Sequence, residues 1–173
     1  MTLVLALAMA LAVPLKANAQ PIASGRPINL FVGFAAGGPA DLLARIVAER
    51  LQEQLGQPVV VQNRGGAGGT IAAATLAKTK PDGTNLMLVT SGHSGAPALY
   101  RALPFDNQKD FAPIVALAQS PVVVLVDAKS PYRDIRALVA AAKASPGKLN
   151  FGTGGGGATL TALAAVQLCR DVA

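Results

Sequence analysis

Three stretches put glycine where an anion could be gripped by backbone alone: "FAAGGPAD" at 34–41, "NRGGAGGT" at 63–70 and "GTGGGGAT" at 152–159. A fourth, "VTSGHS" at 89–94, adds Thr90, Ser91, His93 and Ser94. If Gly38 caps a helix whose first residue is Pro39, the amides around Gly37 and Gly38 have no helical acceptor. Free amides at the positive end of a helix dipole form an anion site, and glycine lets a carboxylate reach them without meeting a Cβ. The plainer alternative is that the two glycines only make a tight strand-to-helix turn. Asp41, near the third helical position, can fold back onto the free amides and complement the dipole. As a direct neighbour of an anion it would repel, so its other role would be to bind a substrate amino or hydroxyl group. Asp41, Arg45 and Glu49 are spaced by four and read as a solvated row of ion pairs.

Other chemistries lack parts. A phosphate-binding P-loop needs Gly-Lys-Ser/Thr, which is missing after the first glycine pair. A dinucleotide fingerprint needs G-x-G-x-x-G and an acid near the end of the second strand, where Gln62 and Asn63 stand. The anion is then small, a carboxylate rather than a nucleotide. Ser91 and His93 suggest a small hydrolase or transferase, but they lie two apart with no G-x-S-x-G elbow and no placed acid. His93 and Cys169 are the single histidine and cysteine, too few for a zinc site, and nothing calls for a cofactor. A lone Cys169 also forbids an internal disulfide. The chain has no tryptophan, and its Lys and Arg are scattered despite a formal charge of +6, so nucleic acid is not an expected partner.

Strands and helices must position these loops. "INLFVGF" at 28–34 reads as a strand, followed by Leu42, Leu43, Ile46, Val47, Leu51 and Leu55 at helical spacing and a stop at Gly56 and Pro58. "VVVQN" at 59–63 is apolar without alternation, as a doubly covered parallel strand should be. An alanine-rich helix over about 70–78, a "PDG" turn and a third strand "NLMLVTS" at 85–91 come next. An irregular stretch holding Pro97 and Pro104 leads to the apolar runs "PIVALA" and "PVVVLVD". A helix over about 132–144 ends at "SPGK", "LNF" opens a further strand, and a last helix begins near Thr159. This alternation predicts an α/β fold, a parallel sheet flanked by helices.

At the N-terminus "TLVLALAMALAVPL" has signal-peptide length, and "ANA" at 17–19 supplies a small-x-small cleavage pattern with Gln20 as the first mature residue. Lys16 is the only early charge, so the natural start is expected upstream of Met1. The division expected is a signal peptide at 1–19, a linker at 20–26, a first α/β lobe at 27–112 and a second at 113–173.

"PINLFVGFAAGGPADLLAR", "LGQPVVVQNRGGAGG", "KPDGTNLMLVTSG", "ALYRALPFDNQKDFAPI" and "SPGKLNFGTGGGG", in that order and spacing, resemble the extracytoplasmic receptors of tripartite tricarboxylate transporters, the Bug-type solute-binding proteins. The resemblance runs from Arg26 to about Leu163. It implies a type II periplasmic-binding-protein-like fold of two α/β lobes with the ligand between them. It further implies a small carboxylated ligand, such as a tricarboxylate, dicarboxylate, amino acid or aromatic acid, and a permease of one large and one small subunit as partner. Carried over by position, it assigns ligand contacts to Ala36, Gly37, Gly38 and Asp41, to Thr90, Ser91 and His93, and to Thr153, Gly154 and Thr159. Thr161 stands roughly where the family often has a histidine. Family members run to about three hundred residues, so the second lobe is expected to be truncated here, giving a fragment of a receptor or a non-functional remnant.

Overall fold

A computed structural model describes residues 25–154 and 159–172, with the side chains of 171 and 172 left aside. The expected signal segment at 1–19, most of the expected linker, and Gly155, Gly156 and Gly157 lie outside the described residues.

Three parallel strands form one sheet: β1 (Ile28–Val32), β2 (Val59–Asn63) and β3 (Asn85–Leu88), in the order β2–β1–β3. Ile28 pairs with Val59 at one end and Val32 with Asn63 at the other, while Asn29 to Val32 run beside Asn85 to Leu88. Helix α1 (Pro39–Leu55) joins β1 to β2, and α2 (Thr70–Leu76), entered through a 3-10 turn at Ala67–Gly69, joins β2 to β3. Crossovers of this kind are right-handed, so strands leaving β1 in opposite directions put α1 and α2 on opposite faces. Helices α3 (Ser91–Leu99), α4 (Ile135–Ala144) and α5 (Leu160–Val172) follow.

The core lies between α1 and the sheet. Leu30, Val32 and Leu88 meet Ala44 and Ala48, with Leu43, Val47 and Phe34 around them. The apolar spacing in α1 suggested that leucines and isoleucine would make this contact. Ala44 and Ala48 make the innermost contact with Leu43 and Val47 beside them, while Leu42 and Ile46 stand exposed. Small side chains let the helix axis approach the sheet, and that rotation turns Asp41 inward. The cap at Gly38, Pro39 as first helical residue and the left-handed Gly56 at the end all match the sequence reading.

Four expectations need correction. Among the described residues β2 is an edge strand with its valines half-buried or exposed, not a strand covered on both faces. The third strand ends at Leu88, and the stretch around Pro97 is helical: Thr90 is the cap and Ser91 the first residue of α3. Two glycines and a proline in nine residues disfavour helix, but buried Gly92 and Ala96 seat this one closely against the 3-10 turn. "LNF" forms no strand; Leu149 and Phe151 are exposed. Helix α4 starts at Ile135, later than expected, because the Asp134 carboxylate accepts a hydrogen bond from the Ala137 amide at 2.8 Å and caps it there.

Candidate functional site

The strand order reverses at β1: the chain crosses first to β2 on one side, then to β3 on the other. In open α/β sheets ligands sit at such a switch point, beyond the carboxyl ends of the strands. The loops leaving β1 and β2, and the start of α3 just past β3, meet there.

The first loop is built around Asp41. Gly37, at φ +84°, turns its amide back to Asp41 Oδ2 at 2.9 Å. Arg45 Nε donates to the same oxygen at 3.0 Å, and Asn63 Nδ2 donates to Oδ1 at 3.0 Å and to the Phe34 carbonyl at 3.2 Å. Asp41 is only 3% exposed. The Arg45 hydrogen bond above all, then those from Gly37 and Asn63, hold its carboxyl down at about 2. The expected solvated row is thus wrong at its first member: Asp41 is buried and ties α1, the first loop and β2 together, while Glu49 stays exposed. It also occupies one of the amides that the sequence offered to an external anion. Gly38 and Ala40 keep amides at the helix start for which no intrahelical acceptor exists.

The second loop follows β2. The Arg64 amide donates to the Val32 carbonyl at 2.8 Å, extending the pairing one residue past the strand. Gly66, Ala67, Gly68 and Gly69 all have positive φ, and the Gly69 amide closes on the Gly66 carbonyl at 2.9 Å. The first and second loops touch through backbone. A Cβ on Gly33 would lie 2.6 Å from Gly69 Cα, and one on Gly65 would lie 3.4 Å from the Ala35 nitrogen. Arg64 places its guanidinium 5.4 Å over the Phe31 ring, adding positive charge beside these loops.

The third wall comes from the start of α3. His93 is half-buried, stacked 6.2 Å from Phe105 and edge-on to Phe111 at 5.0 Å. Burial pulls its pKa below the ordinary histidine value, so it is neutral near pH 7. Phe34, Gly68, Gly69, Val89, Thr90 and His93 border a narrow cleft of about 10 Å³, room for one water at most. Ser91 and His93, two apart on a helix, face different directions, and His93 is committed to its aromatic neighbours. No nucleophile–base pair is built here.

Of the residues expected at the site, Ala36, Gly37, Gly38 and Asp41 share this end of the sheet with Thr90, Ser91 and His93. Thr153 and Gly154 belong to the stretch before α5, and Thr159 caps that helix. The Thr159 hydroxyl accepts from the Ala162 amide at 3.3 Å and lies 3.0 Å from Thr161 Oγ1. Sequence reasoning passed over Asn63 as a clamp and Gly33 as the place where the loops meet. The signal for Asn63 was an amide side chain at a strand end, facing a helix that starts with an acid.

Comparison with known proteins agrees with this fold. The family described as "Tripartite tricarboxylate transporter family receptor" matches residues 43–171. BugT of Bordetella pertussis is 38% identical over 143 residues, covering 82% of this chain and 43% of its own. The structure of MatC from Rhodopseudomonas palustris with bound malate superposes with a TM-score of 0.76 at 32% identity, over 85% of this chain and 50% of MatC. That of R. palustris Rpa4515 with adipate gives a TM-score of 0.69 at 36% identity, over 74% of this chain and 43% of its own. The chain spans less than half the length of the curated relatives it matches.

Proposed function

The chain belongs to the tripartite tricarboxylate transporter receptor family, whose members bind solutes rather than catalyse reactions, and from that premise we propose that its strand-end loops hold a carboxylate of a small metabolite. One observation carries this reading: two glycine loops and the start of α3 converge on the switch point of a parallel sheet, and a buried carboxylate, Asp41, fixes the first loop in place. Malate and adipate, the ligands of the two relatives above, are both dicarboxylates.

In this reading Gly38, with Ala36 and Gly37 shaping the approach, presents backbone to one carboxylate, and the second glycine loop lines its far side. Thr90 and Ser91 supply hydroxyls. His93, neutral and packed against Phe105 and Phe111, is a wall rather than a charge. Asp41 positions the amides and does not meet the anion. Thr153, Gly154 and Thr159 would meet the ligand from the second side. Export through the 1–19 segment, action in the periplasm and delivery to a two-subunit permease complete the proposal.

The test is a thermal-shift titration with malate and adipate against sulfate at matched ionic strength. A bound ligand at about a hundred times its dissociation constant adds about 2.7 kcal/mol of stability. Gly37→Asp, which sets a charge beside the anion, should abolish the dicarboxylate-specific shift, while Gln54→Glu, an added charge on an exposed position at the far end of α1, should leave it intact. A shift equal for sulfate and dicarboxylates, or one insensitive to Gly37→Asp, overturns the reading.

A further inference from the structure

Asp41 puts a negative charge inside the loop assigned to an anion. Its Oδ2 lies 2.9 Å from the Gly37 amide, next along the chain to the amide of Gly38. The side chain is 4% exposed, which leaves little room for water to screen it. Asp41 also stands in the first turn of α1, where one helix dipole would have to serve both it and a ligand carboxylate. Two carboxylates sharing a site disfavour each other's charged form.

Three donors surround Asp41, and one of them carries charge. Gly37 and Asn63 give neutral hydrogen bonds, whereas the guanidinium of Arg45 donates to Oδ2 at 3.0 Å. Arg45 stands four residues from Glu49 as well as from Asp41, yet its ion pair is with Asp41. Of the ion pairs among the described residues, this one alone has a nearly buried acid: Asp82, Glu53 and Asp106 are 29%, 55% and 45% exposed in theirs.

We propose, resting on the carboxylate reading above, that Arg45 is a specificity-determining residue of this site: its guanidinium cancels the charge of Asp41, which leaves the loop amides and the dipole of α1 free to attract the ligand's carboxylate. Gly37 and Asn63 hold the shape of the loop, and Arg45 sets its charge. With the pair formally neutral, an arriving carboxylate meets no uncompensated anion. Without Arg45 it meets one in a place where water screens poorly.

The test is calorimetric titration of the full chain with malate. Arg45→Gln keeps a hydrogen-bond donor without the charge and should weaken binding at least about tenfold. Arg45 meets Asp41 through one hydrogen bond rather than a bidentate pair, so Arg45→Lys, which keeps the charge, should stay within about threefold of the parent. Asp41→Asn combined with Arg45→Gln returns the formal charge to zero, and asparagine can still accept from the Gly37 amide, so this double variant should come back to within about threefold of the parent. A ligand-free readout stands beside these: the Asp41 carboxyl, held at about 2 in the parent, should rise toward its ordinary 3.8 in Arg45→Gln, as followed by its carbon resonance. A parent that binds no malate overturns the carboxylate reading and this inference together. A parent that binds, with Arg45→Gln equally tight, the double variant as weak as Arg45→Gln alone, or an unmoved Asp41 titration, overturns the inference and leaves the reading standing.

Discussion

Residues 28–105 and 113–172 share an alphabet of short apolar runs, glycines and alanine-rich helices, yet they are held by different means. In the first region backbone joins distant segments: the Ile28 amide reaches the Pro58 carbonyl at 2.8 Å, Asn29 reaches Thr84 at 2.8 Å, and Arg64 reaches Val32 at 2.8 Å. Every buried apolar residue described lies between Ile28 and Phe105. In the second region the side-chain hydrogen bonds at Ser120, Lys129, Arg133 and Ala137 span five residues or fewer, and order comes from helix caps and from α4 meeting α5. Strand propensity alone does not make a strand. The valines at 59–61 pair because β1 lies beside them, and those at 122–124 have no such neighbour.

The contrast can be broken first at the core. Ile28→Ala, at a fully buried position, should cost about 2–5 kcal/mol in urea unfolding. Phe151→Ala, at an exposed one, should stay within about 0.5 kcal/mol despite removing more atoms. Equal losses would mean that the second region has a core of its own. The same comparison sharpens with glycines. Gly33→Val must push against the backbone of Gly69 and should cost about 1–3 kcal/mol, whereas Gly152→Ala meets nothing within 4 Å and should be near neutral.

A smaller effect is read from pH. Asp41 is held at about 2 in the folded chain against an ordinary 3.8, so its stabilisation is complete above about pH 4–5 and is lost as pH falls through about 2. Asp82 and Asp106 are lowered too, by hydrogen bonds from Thr84 and from the Gln108 amide respectively. Acid unfolding of Asp41→Asn should therefore be shallower than that of the parent over this window, but not flat. An unchanged slope would remove Asp41 from the list of groups that hold the first loop. Smallest of all, Asp134→Ala should cost α4 about 1 kcal/mol through its lost cap, seen as reduced local exchange protection with the sheet untouched.

How far the sequence could be read follows the same divide. The cap at Gly38, the proline start, the Gly56 stop and the fold of Asp41 back onto the loop amides were legible because each depends on a few adjacent residues. The role of Asn63 was hidden, since its partner Asp41 lies twenty-two residues away and only the β1–β2 register brings them together. Helix α3 was hidden as well, because its glycines and proline argue against helix until Gly92 and Ala96 are seen packed. The strand expected at "LNF" shows the reverse failure: local pattern pointed to a strand, and among the described residues none lies beside it to pair.

The carboxylate site itself is tested most directly by mapping backbone amide resonances during titration with malate. Saturable shifts centred on Gly38, Ala40, the glycines at 65–69 and Thr90 to Gly92, with smaller ones at Thr153 and Gly154, are the expected result. Shifts that never saturate, or that centre on the second region, would contradict the assignment of the anion site to these strand-end loops.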